Sequence, residues 1–393
     1  MKLLVIVPWY EPAWGAGGTA TAVSSLNREL FNLGINITVL TTNDAGGGKF
    51  LDLEMNKEYN FGGVKVYYYP CNFFIKSKKA FYSSQLIKKI KIEVPKYDLI
   101  HIHGTRHAFS FITAYYSKKY RKKFIITPHA SLMQWWMDEI GNSFVKKLYM
   151  RFIESYTISN SSALHFLTSE ERFQSKRYIY GANSFIVSNG IELKDYKRNL
   201  EIRNDLRKKY KVDNKNVLLF LGRIHPQKNI HLVVESMSKL KNTVFFIVGP
   251  VGDKNYYSKI LAIIKKKKLD DIVFFVPPVT KEEVKFWYWT ADFFISPSVV
   301  EGVSMSIIES LASSLPVIVS KNVANYREIQ EDKCGLIVET KVESMTKLLL
   351  KLENSNTESQ FYVNNSKISA IKRYDIKIVA KHIKENYNRI LNE

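Results

Sequence analysis

The sequence predicts an α/β protein of two successive doubly wound, parallel-sheet domains, and three observations carry that expectation. Short apolar runs alternate with amphipathic segments over most of the chain, a polar and charged stretch from about Glu192 to Asn216 interrupts them, and the alternation then restarts. With 393 residues, 46% of them hydrophobic, the chain is long enough to bury two ordinary cores.

In the first half, "KLLVIV" (2–7) reads as a buried strand, "TATAVSSLNRELFNLG" (19–34) as an amphipathic helix closed by Gly34, and "INITVLTTN" (35–43) as the next strand. Strands follow at 64–70, 98–104, 123–129, 163–168 and 184–190, with helical segments between most of them. The polar stretch is the natural domain boundary. Beyond it come strands at 217–222, 243–249, 272–277, 291–298, 316–320 and 334–339, and "KIVAKHIKENYNRIL" (377–391) ends the pattern as a helix. Two such domains imply a cleft between the carboxyl ends of two sheets, where ligands of these folds bind.

Lys plus Arg number 58 against 37 for Asp plus Glu, a net charge of +21 scattered over both halves. That excess points to an anionic partner: nucleic acid, an anionic membrane surface or a phosphorylated small molecule. Cys71 and Cys334, far apart, offer neither a disulfide framework nor metal-ligand spacing, as expected in a reducing cytosol. No stretch approaches the ~20 apolar residues of a membrane span, and "MKLLVIVPWYEP" reads as a strand rather than a signal peptide. The expected location is cytoplasmic, free or peripheral on the inner face of the membrane.

Three motifs carry chemistry. "GAGGTA" (15–20) formally fits a dinucleotide fingerprint, but "PWYEPAW" separates it from the first strand and Asp44 lies too far along for the ribose acid. The glycines then serve either a loop whose backbone approaches a ligand at a helix N-terminus or a structural turn. "LGRIHPQKN" (221–229) sets Arg223 and Lys228 beyond a buried strand, a plausible diphosphate clamp where a solvated pair is the alternative. "EGVSMSIIES" (301–310) places Glu301 before a helix and Glu309 inside it. With a helix over 304–315, Met305, Ile308, Glu309 and Ala312 share the core-facing side, so Glu309 needs donors there: a Lys or Arg, or a ligand. Cations, a helix terminus and acids together describe a site for a nucleotide sugar.

These motifs, with "DLIHIHG", "TPHASL", "VSNGIE" and "ADFFISPS" in order, resemble the retaining glycosyltransferases of glycosyltransferase family 4. The resemblance implies the GT-B fold, two Rossmann-like domains facing a central cleft: an acceptor-binding domain over 1–195, a nucleotide-sugar domain over 196–370, and a C-terminal helix (371–393) packing back on the first. It implies that Glu309 binds the ribose hydroxyls and Glu301 the transferred sugar. Gly302, Val303, Ser304 and Met305 offer N–H groups to the diphosphate or sugar, Arg223 and Lys228 neutralise the diphosphate, Gly17 and Gly18 close over the phosphates, and His129 lies near the sugar. The motif departs from the common pattern at Val303 and Ser304, where Phe and Gly are usual, and "VANYREI" (323–329) replaces a GGxPE loop.

The expected activity is that of a hexosyltransferase-type enzyme moving a sugar from a nucleoside diphosphate to a glycan or lipid-linked hydroxyl, without cofactor or metal, in capsule or O-antigen assembly. Trp135 and Trp136 offer stacking faces or core packing, and the basic segment 76–92 offers a surface for anionic lipid or a solvated helix. Rival readings are a GT-B sugar-nucleotide epimerase and a basic nucleic-acid-binding protein. No nucleic-acid-binding module is visible, so nucleic acid is not an expected partner.

Overall fold

The computed structural model describes residues 1–46, 48–73, 81–139, 144–354 and 358–393. They form two compact units, Met1–Gly190 with Ile376–Glu393, and Ile191–Asp375. The division falls at Gly190 rather than 195 because the turn Leu193–Tyr196 serves the second unit, where the Tyr196 carbonyl accepts from Trp289 Nε1 (3.1 Å). It falls at Asp375 rather than 370 because the helix Glu358–Tyr374 also belongs there, its Ala370 and Tyr374 lying in that unit's core.

In the first unit, β1 Lys2–Ile6, β2 Asn36–Thr42, β3 Glu58–Phe61, β4 Val64–Tyr69, β5 Leu99–His103, β6 Lys123–Thr127, β7 Ala163–Phe166 and β8 Ser184–Ile186 form one sheet. Its order is β8-β7-β6-β5-β1-β2-β4-β3, all parallel except the β3–β4 pair. Alternation explains the unbroken apolar run of β1. Leu3 and Val5 enter the core on one face, Leu4 and Ile6 the core on the other, each burial contributing about 1.5–3 kcal/mol. Helices α1 (Gly18–Asn32), α2 (Ser84–Glu93) and α3 (Ala108–Lys119) follow β1, β4 and β5. The sequence reading lacks strand β3, although Gly62 and Gly63, at φ 61° and 90°, make the two-residue turn that joins it to β4.

The second unit repeats the plan with β9 Asn216–Leu221, β10 Thr243–Val248, β11 Val273–Val276, β12 Phe293–Ser296, β13 Val317–Ser320 and β14 Gly335–Val338, ordered β11-β10-β9-β12-β13-β14 and parallel throughout. Strand order reverses between β9 and β12, as it does between β1 and β5 in the first sheet. Such reversals leave a crevice beyond the strand ends.

The expected polar linker is instead largely structure. Leu200–Tyr210 is a helix (α4), capped by Asn199 Oδ1 accepting from Glu201 N–H (2.9 Å) and Ile202 N–H (3.1 Å). Its arginines are structural: Arg203 and Arg207 donate to Asp292 at 2.7 and 2.6 Å and to the carbonyls closing the helix Lys281–Thr290. Burial raises the Asp292 carboxyl's pKa, but the two guanidinium charges outweigh it and hold the group below its ordinary range. The motif helix is α5 (Met305–Ala312), and Ile376–Asn392 forms α6, which packs on α1 in the first unit. Among the described residues no helix is long and apolar enough to cross a membrane.

Candidate active site

At the switch point of the second sheet, the loops after β9 and β12 are joined by hydrogen bonds. Gln227 accepts from Val299 N–H (2.9 Å) and donates to the Val300 carbonyl (2.9 Å), while Asn229 Nδ2 donates to the Pro297 carbonyl (3.2 Å). Lys228 and Glu301, separate candidates in sequence, therefore form an ion pair. The Ser296 and Ser298 hydroxyls donate to the other carboxylate oxygen at 3.0 and 2.7 Å. Burial pushes the Glu301 pKa up, but Lys228 and the two hydroxyls overcome it, leaving the group ionised below its usual range.

Glu309 sits in the opposite environment. It is half-buried on α5, and its hydrogen-bond donors are phenols, Tyr288 Oη at 2.8 Å with Tyr196 as a second partner, while the Lys281 charge also acts on it. Burial dominates and pushes its pKa up to about 7, against the lowering pull of the two tyrosines. The helix is also turned from the predicted orientation. Ile307, Ile308, Ser310 and Leu311 are its buried residues, whereas Met305, Glu309 and Ala312 are only half-buried.

Of the four residues expected to offer N–H groups, Ser304 gives its own to Asn325 Oδ1 (3.1 Å). Glu301 exchanges backbone hydrogen bonds with Asn322 and Ala324 (3.0 Å each), so "VANYREI" braces the motif. Gly302 and Val303 lie between these anchors, with Met305 opening α5. Arg223 is exposed, its stem lying across Gly252, where a Cβ would come within 2.4 Å of Arg223 Cγ. Motif reading missed Tyr196, Tyr288 and Asn325: Tyr196 stands in the polar boundary stretch, Tyr288 in an apolar helix, and Asn325 becomes visible only once the ends of β12 and β13 are adjacent.

In the first unit, Gly17 at φ 100° is the N-cap of α1 and Gly18 its first residue. His129, also left-handed at φ 52°, has Nε2 3.0 Å from His103 Nδ1. Burial drives its pKa down to about 3, so the imidazole is neutral. Behind it lies a network that the sequence showed only as "HIH": His101 bonds Tyr387 Oη (2.6 Å) and Thr127 (2.7 Å), and Thr127 bonds His165 (2.8 Å). Fully buried Glu171 accepts from Ala130 N–H (2.6 Å) and Leu167 N–H (2.8 Å), pinning the turn after His129. Trp135 and Trp136 are half-buried, with ring centroids 4.6 Å apart. Of the basic segment, 76–80 lie outside the described residues. In α2, Leu86 and Ile90 turn inward and Lys89 pairs with Glu93, so this helix offers no apolar stripe to lipid.

Residues 16–195 match the family model "Glycosyltransferase Family 4" and residues 202–368 match "Glycosyl transferases group 1". Protein CapJ of Staphylococcus aureus is 23% identical over 354 residues, 88% of this chain and 85% of that protein. Alpha-monoglucosyldiacylglycerol synthase of Streptococcus pneumoniae is 25% identical over 337 residues, 82% and 71%. The crystal structure of Anabaena HepE in complex with UDP and glucose superposes with a TM-score of 0.76 at 15% identity, covering 99% of this chain and 100% of that one. The two matched models, in this order and on two Rossmann-like units, show that the chain belongs to the family 4 glycosyltransferases, with the GT-B fold.

Proposed function

We propose that this glycosyltransferase transfers a hexosyl group from a nucleoside-diphosphate sugar to a hydroxyl of a glycan or lipid-linked acceptor, with retention of configuration, in surface polysaccharide assembly at the cytoplasmic face of the membrane. The observation that carries the reading is the ion pair of Lys228 with Glu301 at the switch point of the second sheet, with Arg223 on the same loop as Lys228 and Glu309 on the helix that follows Glu301. HepE, which binds UDP and glucose, supports a uridine-diphosphate sugar as the first donor to test. The monoglucosyldiacylglycerol synthase relative supports a lipid-borne acceptor.

In this reading the bond between the anomeric carbon and the diphosphate oxygen breaks, the acceptor oxygen attacks from the same face, and the acceptor proton passes to the leaving phosphate. The chain's task is to stabilise the departing charge. Arg223 can grip it bidentately, and Lys228 has three N–H donors of which Glu301 takes one. Ionised Glu301 accepts hydrogen bonds from sugar hydroxyls, and Glu309 accepts from the ribose. Gly17 and Gly18 present α1 N–H groups to a phosphate, and neutral His129 hydrogen-bonds the sugar. The cations take the charge-neutralising role that a metal fills elsewhere.

A thermal-shift panel of uridine, guanosine, adenosine and thymidine diphosphate sugars tests the donor. A donor at 100 times its Kd adds ~2.7 kcal/mol of stability, and Glu309→Ala should abolish the shift. If no member of the panel stabilises the protein, the donor reading fails.

A further inference from the structure

Outside the active site, one helical face is apolar and cationic with nothing packed on it among the described residues. The helix is α-helical over Phe144–Tyr149, π-helical over Met150–Glu154 and α-helical again over Ser155–Ser159. It exposes Phe144 (73%), Leu148 (38%) and Phe152 (64%) at a spacing of four, which keeps them on one side. Its other side buries Glu154, Thr157 and Ile158. Exposed Lys147 and Arg151 stand among the apolar residues, the Arg151 guanidinium 5.9 Å from the Phe152 ring centroid. Alongside, Tyr180 Oη donates to the Met150 carbonyl (3.5 Å), and exposed Lys176 and Arg177 lie in the turn that leads to Tyr180.

We propose that this face docks on an anionic lipid bilayer, with Phe144, Leu148 and Phe152 entering the boundary between headgroups and acyl chains and the four cations meeting headgroup phosphates. Charge selects lipid over protein: from Phe144 to Tyr156 the one acid is Glu154, and it is fully buried. A bilayer supplies apolar depth and negative charge across the whole footprint. The same helix reaches the carboxyl end of the first sheet, since Glu154 Oε2 accepts the Arg106 N–H (3.2 Å) in the loop after β5. The inference deepens the reading of a membrane-borne acceptor and rests on it for its purpose, while the docking itself is measurable without any sugar.

The test is flotation of the full chain with vesicles of phosphatidylcholine alone and of phosphatidylcholine mixed with phosphatidylglycerol. The wild type should float with the anionic vesicles, and Phe144→Asp with Phe152→Asp should leave the protein in solution. Lys147→Gln with Arg151→Gln should weaken partition about 30-fold, from the contribution of two basic residues at the surface. Phe361→Asp, at an exposed phenylalanine of the second unit (51%), should float like the wild type. Circular dichroism melts and the UDP-glucose thermal shift of each variant report folding and donor binding separately, so loss of docking is distinguishable from loss of the donor reading. The proposal is overturned if the wild type ignores anionic vesicles, or if the double aspartate variant floats as well as the wild type. It is equally overturned if that variant abolishes self-association in a chain that binds no vesicle.

Discussion

Glu309 titrates in the neutral range because burial, rather than a nearby cation, sets its pKa near 7, while Glu301 stays ionised beside Lys228. Ribose hydroxyls donate best to an ionised carboxylate, so donor binding should pull the Glu309 pKa down and release a proton. UDP-glucose affinity should therefore rise with pH through about 7, by up to tenfold per unit on the acid side, and Glu309→Gln should flatten the dependence. Calorimetric titrations across that range decide it. A wild-type affinity independent of pH removes Glu309 from the donor site.

At the scale of elements, two contacts are separable from the chemistry. A Cβ at Gly252 would press on the Arg223 stem, which is flexible and exposed, so Gly252→Ala should move the guanidinium with little effect on the melting temperature. Its expected result is a donor affinity reduced about tenfold, in the range of a lost charged hydrogen bond. Asp292→Ala leaves Arg203 and Arg207 without their carboxylate and should destabilise the second unit by about 3 kcal/mol in denaturant unfolding. The β-α alternation was legible because parallel strands buried on both faces read as apolar runs. Helix α4 was not, since its stability comes from arginines reaching carbonyls and an acid some 85 residues away (Arg207 to Asp292). Single residues obey the same limit: Lys228, Glu301 and Glu309 announced themselves by motif, whereas Tyr288 and His103 are chemistry hidden in segments that pattern reads as core and Tyr196 lies in one that pattern reads as a polar boundary.

For the whole molecule, buried titratable groups set the pH range of stability. In the first unit burial lowers the pKa values of His101 and His103, and of His107, His129 and His165 to about 3, 3 and 4. These groups take protons only on unfolding, so their contribution is complete above 6.5 and is lost as pH falls toward those values. Glu154 and Glu171, raised to about 7 by burial, act in the other direction: their contribution is complete below 4.5 and is lost as pH rises through 7. The histidines outnumber the acids, so the melting temperature of this unit should level off near neutral pH and fall steeply on the acid side, each net proton adding about 1.4 kcal/mol per pH unit. Calorimetric scans from acid to neutral pH that show no such loss would contradict the buried neutral network. The central claim, that the switch point of the second sheet is a nucleotide-sugar site, is tested most directly by titrating UDP-glucose into the wild type and Arg223→Ala. It predicts one saturable site per chain, weakened at least about tenfold in a variant that melts like the wild type; equal binding by the two proteins, or none by the wild type, would contradict it.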